Sequence, residues 1–318
     1  MDIKIGMIGC GNIARAHLRG YQENGAEIVA FTDINHDLAA EFSAKIKNSS
    51  CFDNFRKLID SGTVNAVSIC SPPVAHEEAA VYALKHKVHV LCEKPLAHDV
   101  ESAKRIVAAA DRSGALLMTA FRHRFLPAIE KMRGLINDGT IGQPVFFHNI
   151  FCGPAPGMRN KWFSKKEIAG GGCLVDTSSH SVDIFRFLIG EIVEQSAVTH
   201  GHWAETGVED AGILTLKSEN GCLGSLISAW VAGVGAAHVS VMGEKGVLLY
   251  DYTKPAELKL QVTGNPEPNI IPVQKSDGFK EEIRHFLEAV KGKQKLSCTG
   301  IDGLRALEVI HSTYRRSV

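Results

Sequence analysis

The sequence predicts a doubly wound parallel α/β sheet followed by an α+β domain with a large open, mainly antiparallel sheet. Three observations carry this. Up to Ala120, short near-continuous apolar runs alternate with helical stretches, the pattern of a parallel sheet covered on both faces. A glycine-rich turn, Gly9-Cys10-Gly11-Asn12-Ile13-Ala14, joins the first apolar run to the first helical stretch. Beyond Ala120, strand-like runs follow one another with few helices between them, as in antiparallel pairing.

The elements follow in order. Ile3 to Ile8 is a buried strand, Ile13 to Gln22 a helix and Glu27 to Phe31 the second strand. Leu38 to Ile46 is helical, Ala66 to Cys70 a strand, His76 to Lys85 a helix and Val88 to Cys92 a strand. Val100 to Arg112 is a helix and Leu116 to Ala120 a strand. Ala128 to Asn137 opens the second half as a helix ending near Gly139. Strand patterns cover Val145 to Phe151, Gly212 to Lys217, Leu223 to Trp230, His238 to Met242, Val247 to Asp251 and Leu258 to Val262. Two helices, Gly278 to Val290 and Ile301 to Tyr314, close the chain. The expected domains are residues 1–121 and 122–318.

Composition narrows the class. The 318 residues are 45% apolar and 22% charged, which excludes collagen, coiled coil and disorder. Lys+Arg and Asp+Glu are both 35, so no net charge draws the chain to nucleic acid, and no nucleic-acid partner is expected. No apolar run reaches the ~18 residues of a membrane helix, and no membrane partner is expected. Met1-Asp2-Ile3-Lys4-Ile5 enters a strand pattern at once with no secretory leader. The eight cysteines are scattered singly with no C-x-x-C, so they are expected to be reduced, and a cytoplasmic location follows.

The turn fits G-x-G-x-x-G/A in its strand–turn–helix setting. Gly9 permits the tight turn, Gly11 lets backbone approach a pyrophosphate, and Ala14 lets the helix pack closely. Asn12 and Ile13 open the helix whose N-terminus faces the anion. Asp33, at the end of the second strand, stands where a carboxylate holds a ribose 2′-hydroxyl. It repels a 2′-phosphate, and Ile34-Asn35-His36 offers no Arg to bind one, so NAD is expected in preference to NADP. Ser71-Pro72-Pro73 ends the third predicted strand at the carboxyl edge of the sheet, where such folds bind ligands. His76 begins the next helix and is a candidate cofactor contact. Glu93-Lys94-Pro95 ends the following strand at that edge, with the Lys94 ammonium aimed across its mouth.

Further on, Gly170-Gly171-Gly172 precedes a predicted helix with Val175, Val182 and Phe185 on its apolar side and Gly190 as its stop. Asp176, His180 and Asp183 fall at i, i+4 and i+7 on one face. That polar stripe is costly unless it is paired, faces a cleft or faces water. His200-Gly201-His202 has strand spacing for two imidazoles on one face. No carboxylate or cysteine falls in register with it, and no metal is expected.

With Gly9, Gly11 and Ala14, Asp33, Glu93-Lys94-Pro95 and Gly171-Gly172…Asp176-x-x-x-His180 in order, the chain resembles the Gfo/Idh/MocA oxidoreductases over essentially its whole length. The helices from Phe279 and from Gly303 also resemble that family's ending. The resemblance implies a Rossmann domain, then a sheet domain that assembles a homodimer or homotetramer. It implies tightly bound NAD or NADP, and hydride transfer to or from a secondary alcohol carbon of a sugar, inositol or sugar derivative. Lys94 matches the lysine beside the nicotinamide and the reacting oxygen. His180 matches the histidine that takes the hydroxyl proton, and Asp176 the acid that holds substrate and supports that histidine. Glu93, Ser71, Pro72 and His76 are expected on the cofactor side.

Three positions depart from the family's habit. Ser178 stands where Gly is common, Arg122-His123 precede Arg124-Phe125 where an Asn is frequent, and Pro73 follows Pro72 where Asn is common. Arg122 and Trp162 are candidate substrate contacts, the indole as a platform for a sugar face. Arg124 and Arg159 are either anion ligands or solvated surface charges. Two other functions stay open: hydrolysis or elimination on sugars through transient oxidation, and a non-enzymatic NAD(H)-binding regulator.

Overall fold

The computed structural model describes residues 2–203 and 205–314. Met1 and residues 315–318, the outer ends of the two expected domains, lie outside the described residues. Two compact units emerge, one formed by Met1–Arg122 with Phe279–Arg305, the other by His123–Gly278 with Ala306–Val318. The first boundary falls one residue from the expected one, and the stretch from Phe279 belongs with the first unit.

The first unit alternates strands and helices: β1 (Lys4–Ile8), α1 (Asn12–Glu23), β2 (Glu27–Thr32), α2 (His36–Ser43), β3 (Ser50–Phe52), α3 (Phe55–Asp60), β4 (Ala66–Ile69), α4 (His76–Lys85), β5 (His89–Glu93), α5 (Val100–Ser113) and β6 (Leu117–Ala120). Its six strands are all parallel in the order β3-β2-β1-β4-β5-β6. Two elements were not expected. β3 has three residues and α3 has six, too few for a period to register. Ser71 therefore follows the fourth strand, not the third. The helix expected to reach Ile46 stops at Ser43, and it starts at His36 because the Asn35 side chain accepts from Asp37 N.

In the second unit come α6 (Pro127–Asn137), β7 (Pro144–Pro154), α7 (Lys166–Ala169), α8 (Cys173–Asp176), α9 (Ser178–Leu188), β8 (Ile192–His200), β9 (Ala211–Ser218), β10 (Leu223–Ala229), β11 (Val231–Gly243), β12 (Gly246–Asp251), β13 (Glu257–Val262) and β14 (Asn269–Pro272). The chain ends with α10 (Phe279–Val290) and α11 (Gly300–Tyr314). The eight strands lie in the order β14-β13-β12-β11-β7-β10-β9-β8. All pairs are antiparallel except β7 with β10. β8 and β14 were missed: β8 has no fully buried position, and β14 is four mostly exposed residues.

One face of this sheet packs on helices. Phe147 of β7 meets Phe185 of α9 edge-on at 5.3 Å. A Cβ on Gly224 would stand 2.8 Å from the Phe185 ring, and one on Gly212 would stand 2.9 Å from Leu174, so these glycines admit α9 and α8. The opposite face follows the register rows Val198, Ile213, Ile227, Ile150 and Leu223, Phe146, Met242. These rows are apolar and open, with Val198 77% exposed and Leu223 50%, and a polar row of Thr215, Ser225, His148 and Ser240 runs between them.

In the first unit, α10 closes over α1. A Cβ on Gly20 would meet Ile283 at 2.5 Å. No described helix is long and apolar enough to cross a membrane. All eight cysteines are free thiols.

Candidate active site

The parallel sheet reverses strand order between β1 and β4, which opens a crevice at their carboxyl ends. Gly9 leaves β1 with φ +91°, and a Cβ there would stand 2.7 Å from Cys70 C and Ser71 N. Only glycine serves both the conformation and the approach. Around Gly11 there is open space for a ligand backbone. Gly11 caps α1 without a side-chain hydrogen bond to that helix end. Asn12 is exposed, Ile13 half-buried and Ala14 fully buried.

Asp33 is held at this loop: Cys10 N donates to Oδ2 at 2.7 Å and Asn35 N to Oδ1 at 2.8 Å. Burial and the Asp33 charge push the Cys10 thiol up to about 12, so it stays protonated at neutral pH. These residues fit a dinucleotide. Gly9, Gly11, Asn12 and Ile13 would cradle the pyrophosphate, and Asp33 would take the ribose.

Glu93 ends β5, the neighbour of β4, and Lys94 follows it. The Lys94-Pro95 bond is cis. Glu93 departs from expectation. It is 6% exposed, His17 Nε2 stands 2.8 Å from its Oε1, and Lys94 N donates to its Oε2 at 3.1 Å. Both oxygens are thus engaged inside the unit.

His76 departs too. It is fully buried, with Nε2 2.8 Å from Ser71 O and Nδ1 3.1 Å from Pro95 O and 3.3 Å from Leu96 O. Burial lowers its pKa against the pull of those carbonyls. Its work is to tie the Ser71 loop to the loop after Lys94. Ser71 and Pro72, which follow β4, are half-buried. Arg122, expected at the substrate, lays its guanidinium over the Phe279 ring at 5.1 Å.

In the second unit the expected helix from Cys173 to Leu188 is broken at Thr177. Asp176 is the last residue of α8, and His180 lies in the first turn of α9. Thr177 Oγ1 sits at the joint, donating to Asp176 Oδ2 at 3.3 Å and accepting from Trp230 Nε1 at 3.2 Å. Asp176 and His180 are both half-buried. The His180 ring lies 4.3 Å from that of His123, whose Nδ1 is 3.0 Å from Tyr252 OH.

Asp183 leaves the expected polar stripe. It turns inward, fully buried, onto Arg124. Arg124 is therefore an internal partner rather than an anion ligand. Arg159 pairs with Glu205 at the surface. Trp162 opens a short turn and stacks on Phe163 at 3.7 Å. Ser178, the departure from glycine, bonds Ser228 Oγ of β10 at 2.7 Å.

The start of α8 is fixed by Glu209. Its carboxylate accepts from Gly172 N at 3.1 Å, Leu174 N at 3.0 Å and Tyr314 OH at 2.6 Å. Burial pushes this carboxyl's pKa up against those donors. Asp210 supplies the carboxylate the sequence had not placed: it lies 2.9 Å from His202 Nδ1. Among the described residues no group of three His, Cys, Asp or Glu side chains is set to hold a metal.

His17, Tyr252 and Glu209 were not singled out from the sequence, and His123 only as a departure from the family's habit. Of the first three, only His17 left a signal. It shares the α1 face of Ala14, Leu18 and Tyr21, and a histidine on a buried face must find a partner.

Relatives share this architecture along most of the chain. The uncharacterized oxidoreductase YrbE of Bacillus subtilis is 27% identical, covering 96% of this chain and 91% of its own. Myo-inositol 2-dehydrogenase of Thermotoga maritima is 26% identical, with 96% and 93% covered. A solved levoglucosan dehydrogenase, in complex with NADH and L-sorbose, superposes with a TM-score of 0.92 over 99% of this chain and 96% of its own at 23% identity, a likeness of fold. Residues 3–121 match the NAD-binding Rossmann fold of the oxidoreductase family, and residues 129–249 match the GFO/IDH/MocA C-terminal domain. The crevice, the fixed Asp33 and the Lys94 and His180 motifs thus lie in a chain that belongs to the Gfo/Idh/MocA family of NAD-binding oxidoreductases.

Proposed function

We propose that this protein oxidises a secondary alcohol of a sugar, inositol or related polyol with NAD, or runs the reverse reduction. The observation that carries this is the place of Lys94. It follows β5 at the same carboxyl edge as the Gly9 turn, with its backbone amide held by Glu93. Names of relatives, a myo-inositol 2-dehydrogenase and a levoglucosan dehydrogenase, support the substrate class.

When bound, NAD supplies the hydride acceptor. The remaining chemistry falls to this chain. Loss of hydride from a carbinol carbon needs its hydroxyl proton removed and the charge on that oxygen stabilised. His180 takes the proton, the general-base role that an imidazole commonly fills. The Lys94 ammonium stabilises the developing alkoxide. Asp176 holds the substrate and supports His180. Asp33 favours NAD over NADP.

We further read the open face of the second sheet, with Val198, Ile213, Leu223 and Met242 exposed, as the surface that forms a homodimer or homotetramer. Exposed apolar side chains grouped in rows suit a protein–protein contact. Eight free cysteines suit a cytoplasmic site of action.

The test is a screen of inositols, aldoses, anhydrosugars and sugar acids with NAD, read at 340 nm. Lys94→Ala and His180→Ala are expected to bind NAD within about three-fold of the parent and to lose about 100-fold or more in kcat. Parent-level turnover in both variants overturns the residue roles. Substrate consumption with no net NADH points instead to transient oxidation, and no response to any dinucleotide to a different ligand.

A further inference from the structure

Behind Lys94 runs a buried chain of polar groups, all within the first unit. His17 is fully buried on the sheet-facing side of α1. Its Nε2 is 2.8 Å from Glu93 Oε1, and its Nδ1 is 2.8 Å from Ser68 Oγ on β4, which also accepts from Tyr21 OH at 3.3 Å. Phe279 of α10 closes over the imidazole at 5.9 Å. The other oxygen of Glu93 accepts the Lys94 amide. Both ring nitrogens and both carboxylate oxygens are therefore engaged, and these contacts orient the carboxylate plane.

Such a network is a poor investment in stability alone, because a well-packed apolar cluster of similar volume is often at least as stable. What it supplies is direction. We propose that His17 is a positioning residue for Lys94, acting through Glu93: the imidazole fixes one carboxylate oxygen so that the other fixes the amide from which the lysine side chain departs. This rests on the reading of Lys94 as a catalytic group. Burial works against charge on both partners, yet Cys70 and then Glu93 raise the His17 pKa, and His17 and then Lys94 lower that of Glu93. Of the other titratable groups, Cys70, just after β4, faces both His17 and Glu93; Cys92 of β5, His76 of α4 and Lys94 face Glu93; and Tyr21 of α1, which shares Ser68 with His17, faces Cys70 and Glu282 of α10.

The experiment pairs kinetics with a readout that needs no substrate. In 15N-lysine-labelled protein, the Lys94 amide is assigned by its loss in Lys94→Arg, and its hydrogen exchange is followed. His17→Leu is expected to speed that exchange about ten-fold or more. It is also expected to lower kcat about 10- to 100-fold while KM and NAD affinity stay within about three-fold. His17→Gln, whose amide still donates to Glu93, is expected to recover most of both. Should His17→Leu fail to fold, Glu93→Gln, which keeps the shape and removes the charge, carries the same readouts.

A Lys94 amide unchanged in exchange, with kcat within about two-fold, overturns the proposal. A joint collapse of KM, NAD affinity and kcat also overturns it, because it makes His17 merely structural. If Lys94→Ala retains full turnover, the catalytic reading of Lys94 falls, while the amide still reports on the positioning.

Discussion

Arg124 and Asp183 meet in a two-point ion pair, Nε to Oδ2 at 2.7 Å and Nη2 to Oδ1 at 2.6 Å, with both side chains almost fully out of water. The pair ties the turn before α6 to α9, the helix that carries His180. Removing one partner leaves a buried charge, so Asp183→Ala is expected to lose about 3–5 kcal/mol of stability. Arg124→Lys cannot restore the fork and is expected to recover little of it. Chemical denaturation of the three proteins, followed by fluorescence, checks this.

Gly172 is tightly enclosed: a Cβ there would stand 1.8 Å from Glu209 O. The obstacle is backbone rather than a side chain that can swing away. Gly172→Ala is therefore expected to cost about 3 kcal/mol or more and to displace α8, taking Asp176 with it. A lowered unfolding midpoint together with lost turnover is the expected result. A midpoint equal to the parent's contradicts the packing.

The buried His17–Glu93 pair gives stability a pH signature. Burial opposes the imidazolium, but Cys70 and the Glu93 carboxylate outweigh it and push His17 from 6.5 up to about 10. Its contribution is complete below pH 6.5 and is lost as pH rises towards 10. For Glu93, burial raises and His17 and Lys94 lower, with a net shift below 4.5. Its contribution is complete above pH 4.5 and is lost only as pH falls below that. Thermal midpoints are thus expected to be highest between these limits and to fall on the alkaline side. In His17→Leu that alkaline fall is expected to flatten, and an identical profile in both proteins counts against the pair.

Asp33 is placed by two backbone amides at the end of β2. Asp33→Asn keeps its shape and removes its charge. NAD affinity is expected to fall about 10-fold or more, the scale of a lost charge-assisted hydrogen bond, while NADP affinity rises. Calorimetric titration of both cofactors measures the ratio, and an unchanged preference removes Asp33 from cofactor selection.

Much of this was legible in the chain. Apolar runs with a period near two or near continuous, broken by a glycine turn, determine the parallel sheet and its crevice, because burial on both faces leaves no other composition for those strands. The Gly9 turn, Asp33 and Lys94 were readable because each stands at a fixed offset from a strand end. The short β3 and α3 were not, since three and six residues carry too little periodicity to outweigh local noise.

Only the tertiary structure decided which polar groups turn inward. Asp176, His180 and Asp183 share one helical face by spacing. The break at Thr177 and the pull of Arg124 separate them, leaving two half-buried and one fully buried. His76 and Glu93 likewise read as ligand contacts until folding supplies carbonyls and an imidazole to satisfy them. The reason is physical: periodicity says which side of an element is buried, while the partner that makes burial of a charge tolerable comes from elsewhere in the chain, as Arg124 stands 59 residues from Asp183 and His17 stands 76 from Glu93.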